Sequence, residues 1–162
     1  MRKNMALKKC LNLGCGNDIK RSISNVQWIN LDVKKHKGVD LVWNLNKFPW
    51  PFKDNTFDFV YCKKIMEYPQ RLDLAMLELE RITKNGGIIE IISPYAKSDG
   101  ALKHHNFITQ DTSLTYMYHS VLLSVEYSCT GALRKLIPLK KVLSIFLWNI
   151  YDVIYLKIQI KK

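Results

Sequence analysis

Leu11-Asn12-Leu13-Gly14-Cys15-Gly16-Asn17 sets a short apolar run against two glycines one residue apart. Neither glycine has a Cβ, so backbone in such a loop can approach a ligand closely. Asp32 follows 16 residues after Gly16 and closes a second apolar run, Val26 to Leu31. A carboxylate at the end of a strand can accept hydrogen bonds from both hydroxyls of a ribose. The third glycine of a dinucleotide fingerprint would fall at position 19, which is Ile19. That argues against a pyrophosphate packed on a helix start and leaves a nucleoside open. An ordinary turn gives the same pattern, so spacing alone keeps both readings.

The other reactive side chains are scattered. His104 is a candidate general base, because an imidazole titrates near neutrality, and equally a surface-loop histidine. His36 and His119 stand alone in the sequence and read as solvated or packed. Lys34-Lys35-His36-Lys37 reads as a solvated loop before it reads as a phosphate contact. The four cysteines (Cys10, Cys15, Cys62, Cys129) include no C-x-x-C pair. Together with four His they show no metal-site spacing, so no metal is expected. Cys15 needs no role beyond its small size, and Met66 and Met76 read as core.

These residues require elements to hold them. Short β-type runs at Lys9–Leu13, Val26–Leu31, Val39–Val42, Phe57–Cys62 and Ile88–Ile92 alternate with loops and one clear helix. That helix has Pro69 at its first turn, and Leu72, Ala75, Met76, Leu79 and Ile82 recur at three- and four-residue steps. Asn85-Gly86-Gly87 is expected to cap it. Strand, helix and buried strand make a βαβ unit, which needs a parallel sheet. Further on, His119–Tyr127 reads as a strand, Leu133–Ile154 as a mostly apolar helix, and Tyr155–Lys161 alternates as a strand with one wet face. The Leu133–Ile154 segment is expected to close one side of the sheet and to share excess apolar surface in a homodimer. It is shorter in unbroken apolar length than the roughly 20 residues of a membrane span.

Length and charge bound the rest. At 162 residues one domain is expected, with 1–112 as a binding core and 113–162 as closing elements. The net charge is +11, of which +5 falls in 113–162. Such a balance favours anionic partners, but no dense basic run or basic–aromatic repeat singles out nucleic acid. Nothing behind the basic first residues resembles a signal peptide, and a reduced, cytoplasmic setting is expected.

From Leu11 to about Thr109 the chain resembles the class I S-adenosylmethionine-dependent methyltransferases, in particular small methyltransferase-domain proteins with a Leu-Asn-Leu-Gly-Cys-Gly first motif. Leu11 to Gly16 looks like the glycine-rich motif, and Trp28-Ile29-Asn30-Leu31-Asp32 like the second strand with its ribose-binding acid. Val39 to Asn46 is similar to the segment that meets the adenine. Phe48 to Asp58 resembles the Pro-Phe and Asp-Asn-Ser-Phe-Asp run into the fourth strand. Glu80-Arg81-Ile82 through Gly86-Gly87 resembles the helix and Gly-Gly turn before the fifth.

The resemblance implies an α/β, Rossmann-like fold: a seven-stranded, mostly parallel sheet with an antiparallel last strand, and a first helix shortened or absent. It implies S-adenosylmethionine as cofactor. Asn12, Leu13, Gly14, Cys15 and Gly16 would run beneath it, Asp32 would hold the ribose, and Val33 would pack on the adenine. Asn44 and Leu45 would edge the adenine, and Cys62 would offer backbone near the methionine amine. The acceptor side departs from the family. Lys63-Lys64-Ile65-Met66-Glu67-Tyr68 replaces a stretch that typically ends Leu-Glu-His, and Ala101-Leu102 stands where Asp-Pro is usual. The expected activity is therefore methyl transfer to a small-molecule or glycan- or lipid-linked acceptor. The alternatives are a non-catalytic binder of the same fold and a nucleic-acid methyltransferase.

Overall fold

The structure is a computed structural model that describes residues 6–96, 98, 104, 106–129 and 151–162. The sheet has strands β1 (Lys8–Leu13), β2 (Val26–Asp32), β3 (Leu41–Val42), β4 (Phe57–Lys63), β5 (Thr83–Pro94), β6 (Ser120–Ser128) and β7 (Val153–Ile160). Helices are α1 (Leu72–Ile82) and the short α2 (Thr112–Tyr116). The strand order is β3-β2-β1-β4-β5-β7-β6. The first five strands are mutually parallel, and β7 runs antiparallel between β5 and β6. This is the seven-stranded, mostly parallel α/β sheet that the resemblance implies.

β1 lies in the parallel core, with Leu13 opposite Leu31 on one side and Cys62 on the other. Its residues Leu11 and Leu13 are fully buried, as are Val60 in β4 and Ile89 and Ile91 in β5. Strands covered on both sides can be apolar at successive positions, which is why these runs show little alternation. β7 differs: Ile154, Leu156, Ile158 and Ile160 are buried, and Tyr155 and Lys157 between them are exposed. Its period-2 pattern is visible in the sequence for that reason.

The helical stripe is confirmed residue by residue. Leu72, Ala75, Met76, Leu79 and Ile82 are all buried. The ends differ from expectation. Pro69 precedes the helix, which begins at Leu72 with Arg71 at the capping position. At the other end no glycine cap is used. Thr83 is already extended, its backbone N–H and hydroxyl both reach Leu79 O, and it pairs with Phe57 as the first residue of β5. Gly86 and Gly87 instead lie in an irregularity of β5, where the register jumps from Phe57↔Thr83 to Phe59↔Ile88. A Cβ on Gly87 would crowd Thr83 Cγ2 and Lys84 O. Gly86, with a φ of +78°, and Gly87, with its close contacts, serve this irregularity rather than a helix end.

Two further features bear on the site, and the first agrees with the expectation of a shortened or absent first helix. No helix forms between Gly16 and Val26; residues 17–25 are turns and irregular backbone. Val153 and Ile154, expected to end an apolar helix, belong to β7. Residues 133–150 of that expected helix, with the dimer surface assigned to it, lie outside the described residues. Among the described residues no helix is long and apolar enough to cross a membrane.

Leu79 faces the sheet from the middle of α1 with no solvent exposure. Leu79→Ala should cost about 2–5 kcal/mol, the range for truncating a fully buried leucine, read by urea unfolding of the purified chain.

Candidate functional site

The carboxyl ends of the parallel strands gather most of the residues singled out in the sequence. Sheet register sets Leu13 beside Leu31 and Cys62, and Asp32 beside Val42. The loop after β1 is then folded back onto β2: Cys15 N–H donates to Leu31 O at 2.9 Å, and Gly16 N–H donates to Asp32 Oδ2 at 2.8 Å. Asp32 Oδ1 accepts the Lys34 N–H at 3.0 Å, and Asp32 O accepts the Trp43 N–H at 2.9 Å. One residue thus joins the loops that follow β1, β2 and β3. Burial raises the Asp32 pKa, but the Lys34 and Gly16 N–H groups outweigh it, and the carboxyl lies below its ordinary value.

The two glycines of the loop do different work. Both have positive φ, +64° at Gly14 and +47° at Gly16. A Cβ on Gly14 would overlap the Ile65 side chain, whereas one on Gly16 meets no protein atom within 4 Å. Gly14 is therefore demanded by the protein's own packing, a constraint that the sequence reading assigned to the ligand. Gly16 borders open space.

The remaining expected site residues divide by exposure. Val33 is 58% exposed, an apolar side chain presented to solvent just past Asp32. Asn44 is exposed and caps its own turn by accepting the Asn46 N–H. Asn12, Leu13, Leu45 and Cys62 are buried, so their side chains point into the molecule. Burial drives the Cys62 thiol pKa far upward, and that side chain is inert. Cys15 is likewise buried, and its thiol is pushed up to about 11, first by burial and then by the charge of Asp32.

Asn12 has a scaffold role instead. Its Nδ2 donates to Asp18 O at 2.7 Å and to Asn30 Oδ1 at 3.0 Å. Asn30 also accepts the Lys20 N–H and donates to Lys20 O and Asp40 Oδ2. This buried amide pair holds the irregular segment that stands in place of a first helix. Asn30 was not singled out by sequence reasoning. The only hint is an amide inside an otherwise apolar strand.

His36 is not isolated. One donor atom each from Cys15, Asp32 and His36 lie within 4.8 Å of one another. His119 also has a partner, Glu80 Oε1 at 2.7 Å.

A second group lies past β4. Glu67 is 1% exposed; its Oε2 accepts the Ser93 hydroxyl at 3.0 Å, and among the described residues Oε1 has no partner. Burial raises the Glu67 pKa, opposed by its own backbone N–H and by Ser93. The rings of Tyr68 and His104 meet edge to face at 4.9 Å, and the His104 charge acts on Glu67. Sequence reasoning named His104 and missed Glu67 as its neighbour.

With this geometry in view, comparison with known proteins is specific about the fold. A family model described as a methyltransferase domain matches residues 27–91. No curated protein matches the sequence significantly. Similar solved structures include an S-adenosylmethionine-dependent methyltransferase from Archaeoglobus fulgidus, at 15% identity and TM-score 0.66, covering 96% of this chain and 87% of that one. A methyltransferase of the same description from Mesorhizobium loti aligns at 10% identity and TM-score 0.64, over 97% and 93% of the two chains. The [4+2]-cyclase SpnF aligns at 14% identity and TM-score 0.66, over 98% and 76%. The fold is that of the class I methyltransferases. The family match begins at Gln27 and so does not reach the Gly14-Cys15-Gly16 loop.

Two outcomes follow from the geometry. Gly16→Ala should cost no more than left-handed backbone strain, about 1–2 kcal/mol, while Gly14→Ala adds the Ile65 overlap and should unfold at measurably lower denaturant. For Glu67, a raised folded pKa means its contribution to stability is complete below the ordinary value of 4.5 and is lost as pH rises through the raised value. Glu67→Gln should therefore flatten the fall in stability above about pH 5, measured by denaturant titrations across pH.

Proposed function

We propose that the chain binds S-adenosylmethionine at the carboxyl ends of β1, β2 and β3 and transfers its methyl group to an acceptor that enters past β4. The observation that carries the reading is the junction of Asp32 with the Gly16 loop, on a sheet with the methyltransferase strand order. Open α/β sheets bind ligands at this edge.

The residues present fit such a cofactor. Asp32 is held as a carboxylate, and each oxygen already engaged by a backbone N–H keeps a further lone pair for a ribose hydroxyl. Gly16 leaves room above the loop, since nothing in the protein fills the place of its Cβ. Val33 offers an exposed apolar face beside Asp32 for an adenine. Asn12, Leu13, Leu45 and Cys62 can serve only through backbone, or by fixing the shape of the edge.

When bound, S-adenosylmethionine supplies a methyl group on a sulfonium, which an acceptor's lone pair can displace. The protein's main task is then alignment, so a dedicated base is not required. Where the acceptor must lose a proton, His104 is the candidate base on that side, its ring against that of Tyr68. A small-molecule or glycan- or lipid-linked acceptor suits the absence of a basic–aromatic surface repeat. A second reading, ligand binding with chemistry other than methyl transfer, draws on the cyclase that shares this fold. Methyl transfer from labelled cofactor to a panel of acceptors separates the two.

Calorimetry with S-adenosylhomocysteine tests binding directly. Asp32→Ala should weaken it by about 1.5–3 kcal/mol, the value of hydrogen bonds to a charged group. Gly16→Val should abolish it in a protein that still melts cooperatively. Equal affinity in wild type and both variants would remove the cofactor from this edge.

A further inference from the structure

Cys15, Asp32 and His36 come from three separate places in the chain: the loop after β1, the end of β2 and the loop after β2. The register that sets Leu13 beside Leu31 brings the first two together, and the turn after Asp32 returns His36 to them. Their thiol, carboxylate and imidazole donors lie within 4.8 Å of one another. Around a tetrahedral zinc ion, bonds of about 2.0–2.3 Å put donors about 3.5 Å apart. The three side chains therefore need to close by about an ångström, a movement within the reach of side-chain torsions.

The surroundings favour a cation. Although the chain carries a net charge of +11, the carboxylates of Asp32 and Asp40 act on Cys15. Three lysines of this region have partners outside the cluster. Lys35 turns its ammonium to Val39 O at 2.8 Å, and Lys20 and Lys63 pair with Asp18. His36 Nδ1 has only a long contact, 3.4 Å to Lys37 O, which costs little to give up.

We propose that Cys15, Asp32 and His36 form a three-donor site for a thiophilic divalent cation of the Zn²⁺ class, with its fourth position open to water. A sulfur, nitrogen and oxygen donor set suits Zn²⁺ or Co²⁺ and not Mg²⁺ or Ca²⁺, which take oxygen ligands. As the sulfur–metal bond forms, the thiol proton leaves to solvent. Asp32 belongs both to this site and to the nucleoside edge, a point that rests on the proposed cofactor reading. Metal and nucleoside therefore exclude each other there, and free Zn²⁺ acts as an inhibitor of cofactor binding.

Titration of the full chain with Co²⁺ under reducing conditions tests the site. The expected result is one Co²⁺ per chain with a thiolate-to-cobalt charge-transfer absorption, retained in Cys129→Ser. Cys15→Ser should remove that absorption. His36→Ala, on the loop after β2, should weaken binding roughly tenfold or more, since loss of even an outer partner of a metal ligand costs that much. Absence of the absorption in the wild type, or its persistence in Cys15→Ser, overturns the site; so does unchanged affinity in His36→Ala. Zn²⁺-loaded protein should bind S-adenosylhomocysteine more weakly than metal-free protein, and equal binding overturns the sharing of Asp32. If metal-free protein fails to bind S-adenosylhomocysteine while the Co²⁺ signal follows Cys15 and His36, the cofactor reading falls and the metal site stands.

Discussion

The carboxyl edge of the sheet depends on one carboxylate accepting one backbone N–H. Gly16 donates to Asp32 across the gap between two adjacent strand ends. Without that bond the loop after β1 has Cys15 N–H to Leu31 O as its nearest tie to β2. The arrangement compensates for a missing element. In a sheet of this kind a helix normally leads the chain away from the first strand and fixes the loop from behind. Here residues 17–25 are irregular, and the buried amides of Asn12 and Asn30 anchor them with three hydrogen bonds, to Asp18 O and to Lys20 N–H and O. Polar groups buried this deeply must be paired, so the network is as demanding of geometry as a helix would be.

What could be read in the sequence was whatever repeats locally. The α1 stripe and the alternation of β7 are periodic within a few residues, and each buried position follows the expected period. The Asp32 position was legible because a strand end is marked by the close of an apolar run. The helix end was not, because Gly86 and Gly87 carry the same conformational signal in a cap as in a strand irregularity, and only the pairing of Thr83 with Phe57 decides between them. The Asn12–Asn30 pair, the approach of Cys15 to His36 and the Glu67–Ser93 contact join residues 18, 21 and 26 apart. No local pattern announces them. The Gly14 constraint is of the same type, set by Ile65 on another strand's exit.

The region past β4 combines groups of opposite tendency. Glu67 is buried with one oxygen unpartnered among the described residues, while Tyr68 and His104 stand nearer solvent with their rings in contact. Tyr95, Tyr127 and Tyr151 gather at the far end of the same edge, with Tyr127 and Tyr151 stacked at 4.9 Å. Ring centroids this close leave no room between the faces, so these tyrosines form a wall rather than a cage. The stretch from Lys63 to Tyr68 falls on this side, while the ends of β1 and β2 carry Gly14, Gly16 and Asp32.

The place of β7 has a consequence for the order in which the molecule can be made. Its residues come last in the chain, yet it sits between β5 and β6. Until Val153–Ile160 has left the ribosome, β5 has an open edge and β6 has no neighbour in the sheet to pair with. The nascent chain therefore carries a half-sheet with exposed hydrogen-bonding groups, the state in which edge strands find wrong partners. A slow stretch of translation between β6 and β7 would lengthen that exposure. Chaperone demand in the cell would then track the timing of the last eight-residue strand more than the stability of the finished fold.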